Sequence, residues 1–154
     1  MYEYKKQEGD NHPFFLFKTE GGSEYTVTFI DFVKIGDIEI QSVTIYCDSP
    51  RFKDLKIGST INAIIREHLE DRKNTVLSYV CDSEDNREFS RQRKFIGWYE
   101  LYAKESKYTL IPFDIPIQGT NTTYYSALIF DNETYSREFI DTFYKEELKE
   151  YVDK

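Results

Sequence analysis

Residues 57–98 read IGSTINAIIREHLEDRKNTVLSYVCDSEDNREFSRQRKFIGW, and their pattern determines three consecutive elements. Apolar residues recur every three or four positions from Ile61, which predicts an amphipathic helix that begins at a capping Ser59 or Thr60. Thr75–Val80 is a continuous apolar run between polar residues, as is typical of a buried central strand. The acidic run that follows supplies capping oxygens for a second helix. The stretch therefore predicts a helix, a strand and a helix in succession.

The sequence on either side of this stretch predicts further strands. β-branched and aromatic runs separated by turn residues indicate three antiparallel strands before it, and two strands with a final amphipathic helix after it. The predicted strands cover residues 14–18, 25–33, 38–47, 108–115 and 124–130, and the last helix covers 135–152. The order βββαβαββα predicts an α+β fold, with a central mixed sheet flanked by helices in a single domain over residues 14–154. Residues 1–13 are polar and charged, which indicates a flexible amino-terminal arm.

The charge of the chain limits the partners that it can have. Lys and Arg number 20 and Asp and Glu number 28, so the net charge is -8 and a protein that follows phosphates would work against this field. We therefore expect no nucleic-acid partner, whereas a cationic partner or a basic amine substrate fits. No apolar run reaches the roughly 18 residues of a membrane span and no signal peptide is evident, which predicts a cytoplasmic protein without a membrane partner. The cysteine spacing offers no zinc motif, so no metal is expected.

The segment after Pro50 resembles the coenzyme-binding segment of the GNAT acetyltransferase superfamily. In that family Arg/Gln-x-x-Gly-x-Gly/Ala opens a helix that holds the coenzyme A pyrophosphate. Here Lys53 stands at the Arg/Gln position, Lys56 at the first Gly position and Gly58 at the last. The positive end of a helix dipole would stabilise an anion over residues 58–61, and the two lysines would add to that charge.

The second part of the resemblance runs from Asn86 to Trp98. The family has Asn-x-x-Ala-x3-Tyr-x3-Gly-Phe after its next strand, and here Asn86, Gly97 and Trp98 keep that register. Phe89 replaces the Ala, and Arg93 replaces the Tyr that acts as the general acid toward the coenzyme thiolate. Because Arg stays protonated, it does not take that role in the same way. The run Asp-x-Arg-x3-Arg-x-Arg-x-Phe-x2-Trp in this stretch also resembles that of an uncharacterised small bacterial protein family.

The resemblance implies a small protein that binds an acyl-CoA, either acetyl-CoA or CoA, or a related phosphate-bearing ligand. It also implies N-acetyltransferase activity toward an amine, although it identifies no catalytic residue. In such a site two neighbouring parallel strands splay beside the helix at Gly58, and bulky side chains in that gap would favour a different function. The implied cofactor-binding residues are Lys53, Lys56, Gly58, Ser59, Thr60 and Asn86.

Two other functions remain open at this point. A non-enzymatic interaction module on a degenerate acyltransferase fold, with a protein partner or as a homodimer, fits the altered phosphate motif and the acidity. A mimic of nucleic-acid charge fits the acidity alone. The second helix also carries a stripe that would either stack on an adenine or form a core seam. Its residues are Arg87, Arg91, Phe95, Trp98 and Tyr102.

The titratable residues give few candidates for proton transfer. His12 lies in the polar arm, where we expect no functional role. His68 lies near the end of the first helix, where a capping or surface role is expected because a protonated imidazole favours that end of the dipole. Glu39, Asp48 and Asp82 lie on strands or at strand ends, where the GNAT superfamily often places a base, but a solvated acid is the default for each.

Overall fold

The computed structural model describes residues 1–48, 55–80, 88–102, 106–116, 119 and 123–148. Within those ranges the chain forms seven strands and three α-helices, which confirms the α+β fold in a single domain. The strands are β1 (Tyr4–Gln7), β2 (Phe14–Lys18), β3 (Glu24–Ile35), β4 (Ile38–Cys47), β5 (Thr75–Val80), β6 (Tyr108–Pro116) and β7 (Thr123–Asp131). The helices are α1 (Leu55–Glu70), α2 (Glu88–Tyr102) and α3 (Arg137–Phe143), and α3 continues into a π-helical turn over Tyr144–Leu148.

The described strands form one mixed sheet in the order β1-β2-β3-β4-β5-β7-β6. Of the described strand pairs, only β4 and β5 are parallel, because α1 carries the chain back to the starting edge of the sheet between them. Their ladder joins Glu39–Ser42 to Thr75–Ser78, yet β4 continues to Cys47 and β5 to Val80. The carboxyl-terminal ends of the two strands are therefore not paired with each other.

Helices cover both faces of this sheet. On the first face α1 packs its apolar stripe on inward-facing residues of β2 to β5 and β7, together with Phe95 of α2. On the opposite face α3 packs Ile140 and Phe143 on β4, β5, β6 and β7. The alternation of Val76 and Leu77, which belong to the two opposite cores, shows that β5 is buried on both sides. The prediction of a central buried strand is therefore confirmed.

The prediction of a flexible arm over residues 1–13 is corrected by the structure, because Tyr4–Gln7 form strand β1, which pairs antiparallel with β2. Tyr4 lies opposite Phe17, and the backbone amide of Tyr2 donates a hydrogen bond to Thr60 Oγ1 on α1. The strand lies at the edge of the sheet and three of its four residues are exposed. Its polar sequence therefore lacks the apolar alternation by which a strand is recognised.

The predicted start of α1 at Ser59 or Thr60 is also wrong, because the helix begins at Leu55. Both residues lie in the second turn, where Ser59 Oγ and Thr60 Oγ1 donate to the carbonyl oxygen of Lys56 at 3.1 and 2.6 Å. Hydroxyls that bond back to the preceding turn are common within helices, and neither of these residues caps α1.

The last helix begins at Arg137, two residues after the predicted start at 135, and its described residues run to Leu148. Ser136 caps α3 by accepting a hydrogen bond from the amide of Phe139 at 3.0 Å, and the regular α-helix ends at Phe143. Residues 149–152 of the predicted helix lie outside the described residues.

Candidate functional site

The implied coenzyme site falls at the unpaired carboxyl ends of β4 and β5, which we call the β4–β5 opening. Beyond Ser42 and Ser78 the two strands no longer pair, and β4 leads toward the amino terminus of α1. In sheets with parallel strands, ligands bind outside the carboxyl ends of strands that diverge. The implied binding residues Lys53 and Asn86 lie outside the described residues, so the geometry here rests on Lys56 and on the start of α1.

Lys56 projects from the first turn of α1 and is partly neutralised. Its Nζ lies 2.7 Å from Glu20 Oε1 and 5.5 Å from the centre of the Tyr2 ring. Both charged side chains are more than half exposed, so the ion pair is screened by water and can exchange its partner. The ammonium group of Lys56 therefore adds a positive charge beside the positive end of the α1 dipole.

Gly58 is covered by the indole ring of Trp98 on α2. A β-carbon added to Gly58 would lie 2.4 Å from Trp98 Cδ1, so only glycine allows the ring to approach this closely. Asn62 Nδ2 bridges the two helices, because it donates to the carbonyl oxygens of Gly58 at 2.9 Å and of Trp98 at 3.3 Å. Along this part of α1, a bulky side chain therefore occupies the position beside Gly58.

Ser59 and Thr60 are engaged within the protein. The Thr60 side chain is fully buried and, besides donating to Lys56, accepts the hydrogen bond from the Tyr2 amide at 2.8 Å. The described residues predicted to bind phosphate therefore lie on one helix, where the Thr60 hydroxyl attaches the amino-terminal segment and the Ser59 hydroxyl bonds to the helix backbone. Their role in ligand binding stays a prediction.

The aromatic stripe of α2 is in part a core seam. Phe95 is 4% exposed and stacks on Tyr79 of β5 with ring centres 4.2 Å apart. Trp98 is half-buried, and Lys94 Nζ lies 5.4 Å from its ring centre. Arg93 is exposed. Arg87 lies outside the described residues.

A second constellation joins both histidines of the chain. His12, in the β1–β2 loop, places Nε2 2.7 Å from Oδ1 of Asp31, which is on β3. Gln41 of β4 lies directly opposite Asp31, and its Nε2 donates to the same oxygen at 3.2 Å and lies 3.0 Å from His12 Nε2. Gln41 Oε1 accepts from Nε2 of His68, on α1, at 2.7 Å. One buried glutamine therefore connects a loop, two strands and a helix.

Burial keeps His68 neutral in this cluster. Its side chain is 1% exposed, and its ring stacks on Phe29 with ring centres 3.6 Å apart. Burial, followed by the positive charge of Arg72, lowers the pKa of His68 from 6.5 to about 3. Because Nε2 donates to Gln41, Nδ1 carries the lone pair, and this buried atom has no hydrogen-bond partner among the described residues. The expected capping or surface role of His68 is therefore wrong.

Asp31 is the exposed end of the cluster. Its side chain is 59% exposed, and the hydrogen bond from His12 holds the pKa of its carboxyl group below the usual value. His12 is itself largely buried, with 14% of its side chain exposed. His12 has a structural role that the sequence did not predict, because this residue attaches the β1–β2 loop to the sheet.

Sequence patterns could have indicated part of this cluster. Gln41 shares a strand face with Val43 and Ile45, and His68 lies three residues after Ile65 on the apolar stripe of α1. A polar side chain on an apolar face must find a buried partner. The partners themselves come from distant positions in the chain, which the pattern does not connect.

The other predicted candidates are placed separately. Glu39 is half-buried at the start of the β4–β5 ladder, whereas Asp48 is exposed and accepts a hydrogen bond from the amide of Glu24. Asp82 lies outside the described residues.

Within the described ranges, no group of three or more His, Cys, Asp or Glu side chains is arranged to hold a metal ion. In the same ranges, no helix has the length and apolar character needed to cross a bilayer.

Comparison with known proteins identifies a family but no function. A family profile matches residues 53–146, which is more than half of the 154-residue chain. Neither the curated proteins nor the solved structures give a significant match. No comparison links the chain to the GNAT superfamily. The chain belongs to the family of unknown function DUF6169.

Proposed function

We propose that the protein binds acetyl-CoA, CoA or a related phosphate-bearing acyl carrier at the opening between β4 and β5. The observation that carries this proposal is the end of the parallel ladder at Ser42 and Ser78, while both strands continue beyond it. An opening between diverging parallel strands admits an extended ligand without breaking any strand pairing. The order of elements from β2 to β7 is consistent with the GNAT-like core that the sequence resembles.

The charged end of the carrier would lie at the amino terminus of α1. This helix has 16 residues, and its dipole places about half a positive charge near Leu55. Lys56 adds a cation at the same end, and its exposed ion pair with Glu20 can give way to a phosphate. Because α1 begins one turn earlier than predicted, the anion site moves from residues 58–61 toward residues 55–57.

Trp98 defines the border of the proposed site. Its ring covers Gly58, so a ligand cannot approach the backbone there as it would in an open glycine-rich helix start. A half-buried indole with Lys94 beside it also offers an aromatic face on which an adenine can stack. We infer that the carrier contacts the first turn of α1 and the indole ring of Trp98.

Transfer of the acyl group to an amine is the second step of the proposal. The neutral amine nitrogen attacks the thioester carbonyl, the carbon–sulfur bond breaks, and the coenzyme leaves as a thiolate that takes up the proton lost by the amine. Arg93 stands where the family has its general acid and is exposed. We therefore expect acyl transfer to be slow even where acetyl-CoA binds. The net charge of -8 favours a cationic amine as the acceptor.

Isothermal titration with acetyl-CoA and with CoA tests the binding step. We expect saturable heat, and we expect Lys56→Glu to weaken binding at least about tenfold, because a negative charge then faces the phosphates. Lys145→Glu is the matched control, since Lys145 also forms an exposed ion pair, with Asp141 of α3. The absence of both heat and thermal stabilisation at millimolar ligand would contradict the proposal.

A non-enzymatic interaction module is the second candidate, and two observations favour it. Trp98 fills the position beside Gly58, and three large apolar side chains on β3 and β4 are exposed. They are Ile30 at 54%, Phe32 at 46% and Tyr46 at 63%. Affinity capture at several salt concentrations, together with the mass in solution, distinguishes a protein partner from a homodimer. A monomer that captures no stoichiometric partner would count against this candidate.

A further inference from the structure

We propose that the protein has a second site, which binds a small zwitterion of the α-amino acid type at the amino-terminal end of the β4–β5 ladder. A polar cavity of about 260 Å³ lies there, between the β3–β4 turn and the loop that joins α1 to β5. Its size lies just below the range of about 300–1,000 Å³ that holds drug-sized ligands, so a smaller molecule fits it. The residues that carry the proposal are Lys34, Asp37, Glu39, Arg72 and Thr75.

The sheet register arranges the charges on one face. Lys34 lies opposite Glu39 across β3 and β4, and Glu39 lies opposite Thr75 across β4 and β5. Glu39 is two residues from Gln41, whose side chain contacts His68 of α1, so this row faces the α1 side of the sheet. Three strands therefore present a cation, a carboxylate and a hydroxyl side by side.

Most of the charged side chains that line the cavity do not form ion pairs with one another. Lys34 and Glu39 face each other without forming an ion pair, and within the described residues no carboxylate pairs with Arg72. Lys73, which also lines the cavity, is different, because it pairs with Glu70 and Asp131. Two cations and two carboxylates, counting Asp37, therefore remain for a ligand that carries one charge of each sign.

Two further observations indicate a ligand of this kind. Thr75 is 2% exposed, and its Oγ1 is buried without a hydrogen-bond partner in the described part of the chain. Buried polar atoms are nearly always paired, so a hydroxyl without a partner at a cavity marks a place for an external one. The backbone is also held in place, because Glu39 N donates to Asn74 O at 2.8 Å and Thr75 N donates to Arg72 O at 3.3 Å.

An amino acid satisfies these groups together. Its carboxylate can accept a bidentate hydrogen bond from Arg72 and a further contact from Lys34, and its ammonium can donate to Glu39 and Asp37. This end of the ladder is three residues from Ser42, or about 10 Å. The site therefore does not depend on the acyl carrier proposed for the opposite end.

Amide chemical shifts recorded during titration with glycine test this site. We expect saturable shifts at Glu39, Asn74 and Thr75, with a Kd on the order of 1 mM. Acetate and methylammonium, which carry one charge each, should bind at least about tenfold more weakly. Arg72→Gln and Glu39→Gln should each weaken glycine binding by about tenfold or more, while Arg137→Gln and Glu133→Gln, at exposed positions elsewhere, should not.

Three outcomes would overturn the proposal. The first is the absence of saturable shifts up to about 50 mM glycine in the intact protein. The second is equal binding of acetate or methylammonium, which would show an ion site rather than a zwitterion site. The third is unchanged glycine binding in both Arg72→Gln and Glu39→Gln, with circular dichroism confirming that the variants are folded.

Discussion

The indole ring of Trp98 lies directly over Gly58, so that a β-carbon on Gly58 would be 2.4 Å from Cδ1 and 2.7 Å from Cγ of the ring. This contact joins α1 to α2 next to the proposed carrier site. Asn62 reinforces it by donating to the backbone of both residues. The close approach of the two helices therefore requires a glycine at position 58. Whether a substitution of Gly58 stabilises or destabilises the protein depends on the Trp98 ring.

Gly58→Ala should destabilise the protein by up to about 2 kcal/mol. The steric cost of overpacking, about 1–3 kcal/mol, exceeds the gain of about 1 kcal/mol in helix propensity. In a Trp98→Ala background the same substitution should become stabilising, because only the propensity remains. Urea unfolding of the four proteins measures both effects.

Gly97→Ala is the matched control for this cycle. Gly97 is also helical, but nothing lies within 4 Å of its added β-carbon, so the substitution should stabilise by up to about 1 kcal/mol. If Gly58→Ala also destabilises the protein in the Trp98→Ala background, the Trp98 ring is not the reason why position 58 requires a glycine.

His68 should make the stability depend on pH below neutrality. Its pKa is 6.5 in the unfolded chain and about 3 in the folded protein, so between these values the unfolded state binds more protons. The contribution of His68 is complete above pH 6.5 and is lost as the pH falls toward 3, by about 1.4 kcal/mol per pH unit. Unfolding free energies at pH 7, 5.5 and 4.5 measure the slope.

His68→Gln separates this effect from that of the carboxylates. A glutamine can still donate to Gln41 but does not titrate, so the difference in slope between the two proteins belongs to the imidazole. Equal slopes for the original protein and the variant between pH 6.5 and 4.5 would contradict a buried neutral His68.

Gln41→Leu should cost more stability than Asp31→Asn, although both residues belong to the same cluster. Gln41 is fully buried, and its loss leaves the His68 Nε2–H group without an acceptor, at a cost of about 1–3 kcal/mol. The Asp31 carboxylate is 59% exposed, and its pairing with His12 contributes less than about 1 kcal/mol. Thermal unfolding at pH 7 compares them, and the reverse order would mean that the cluster depends on Asp31.

The β1–β2 loop should tolerate Asn11→Ala but not Gly9→Ala. A β-carbon on Gly9 would lie 2.3 Å from the backbone oxygen of His12, and a backbone atom cannot be moved away by a change of rotamer. We expect Gly9→Ala to withdraw His12 from Asp31 and to raise hydrogen exchange in Tyr4–Gln7, which should be protected in the original protein. Fast hydrogen exchange of Tyr4–Gln7 in the original protein would instead support a flexible amino-terminal arm.

The strands with alternating or continuous apolar residues could be predicted from the sequence, and those without could not. The predicted strands at 14–18 and 38–47 coincide with β2 and β4, because both are rich in aromatic or β-branched residues, although only β2 is buried strictly at alternate positions. β1 is an edge strand whose residues are mostly exposed, so its composition resembles that of a loop. The start of α1 was misplaced because hydroxyls that cap a helix and hydroxyls that bond back to the preceding turn are the same residue types.

The candidate sites show the same division. Lys56 and Gly58 were identified as site residues from their spacing, but the cover of Gly58 by Trp98 depends on how α2 docks on α1. The cluster of His12, Gln41 and His68 depends on sheet register and on helix packing across 56 residues of sequence, from 12 to 68. Local patterns contain neither kind of information.

Amide chemical shifts recorded while acetyl-CoA is added provide the decisive measurement for the proposed function. If the carrier binds at the opening, saturable shifts should concentrate at Leu55–Gly58, at the free ends of β4 and β5 after Ser42 and Ser78, and at the Trp98 indole. The Lys56→Glu variant should lose them, while Lys145→Glu should keep them. Shifts that are absent at millimolar acetyl-CoA, or that fall only outside these residues, would contradict binding at the β4–β5 opening.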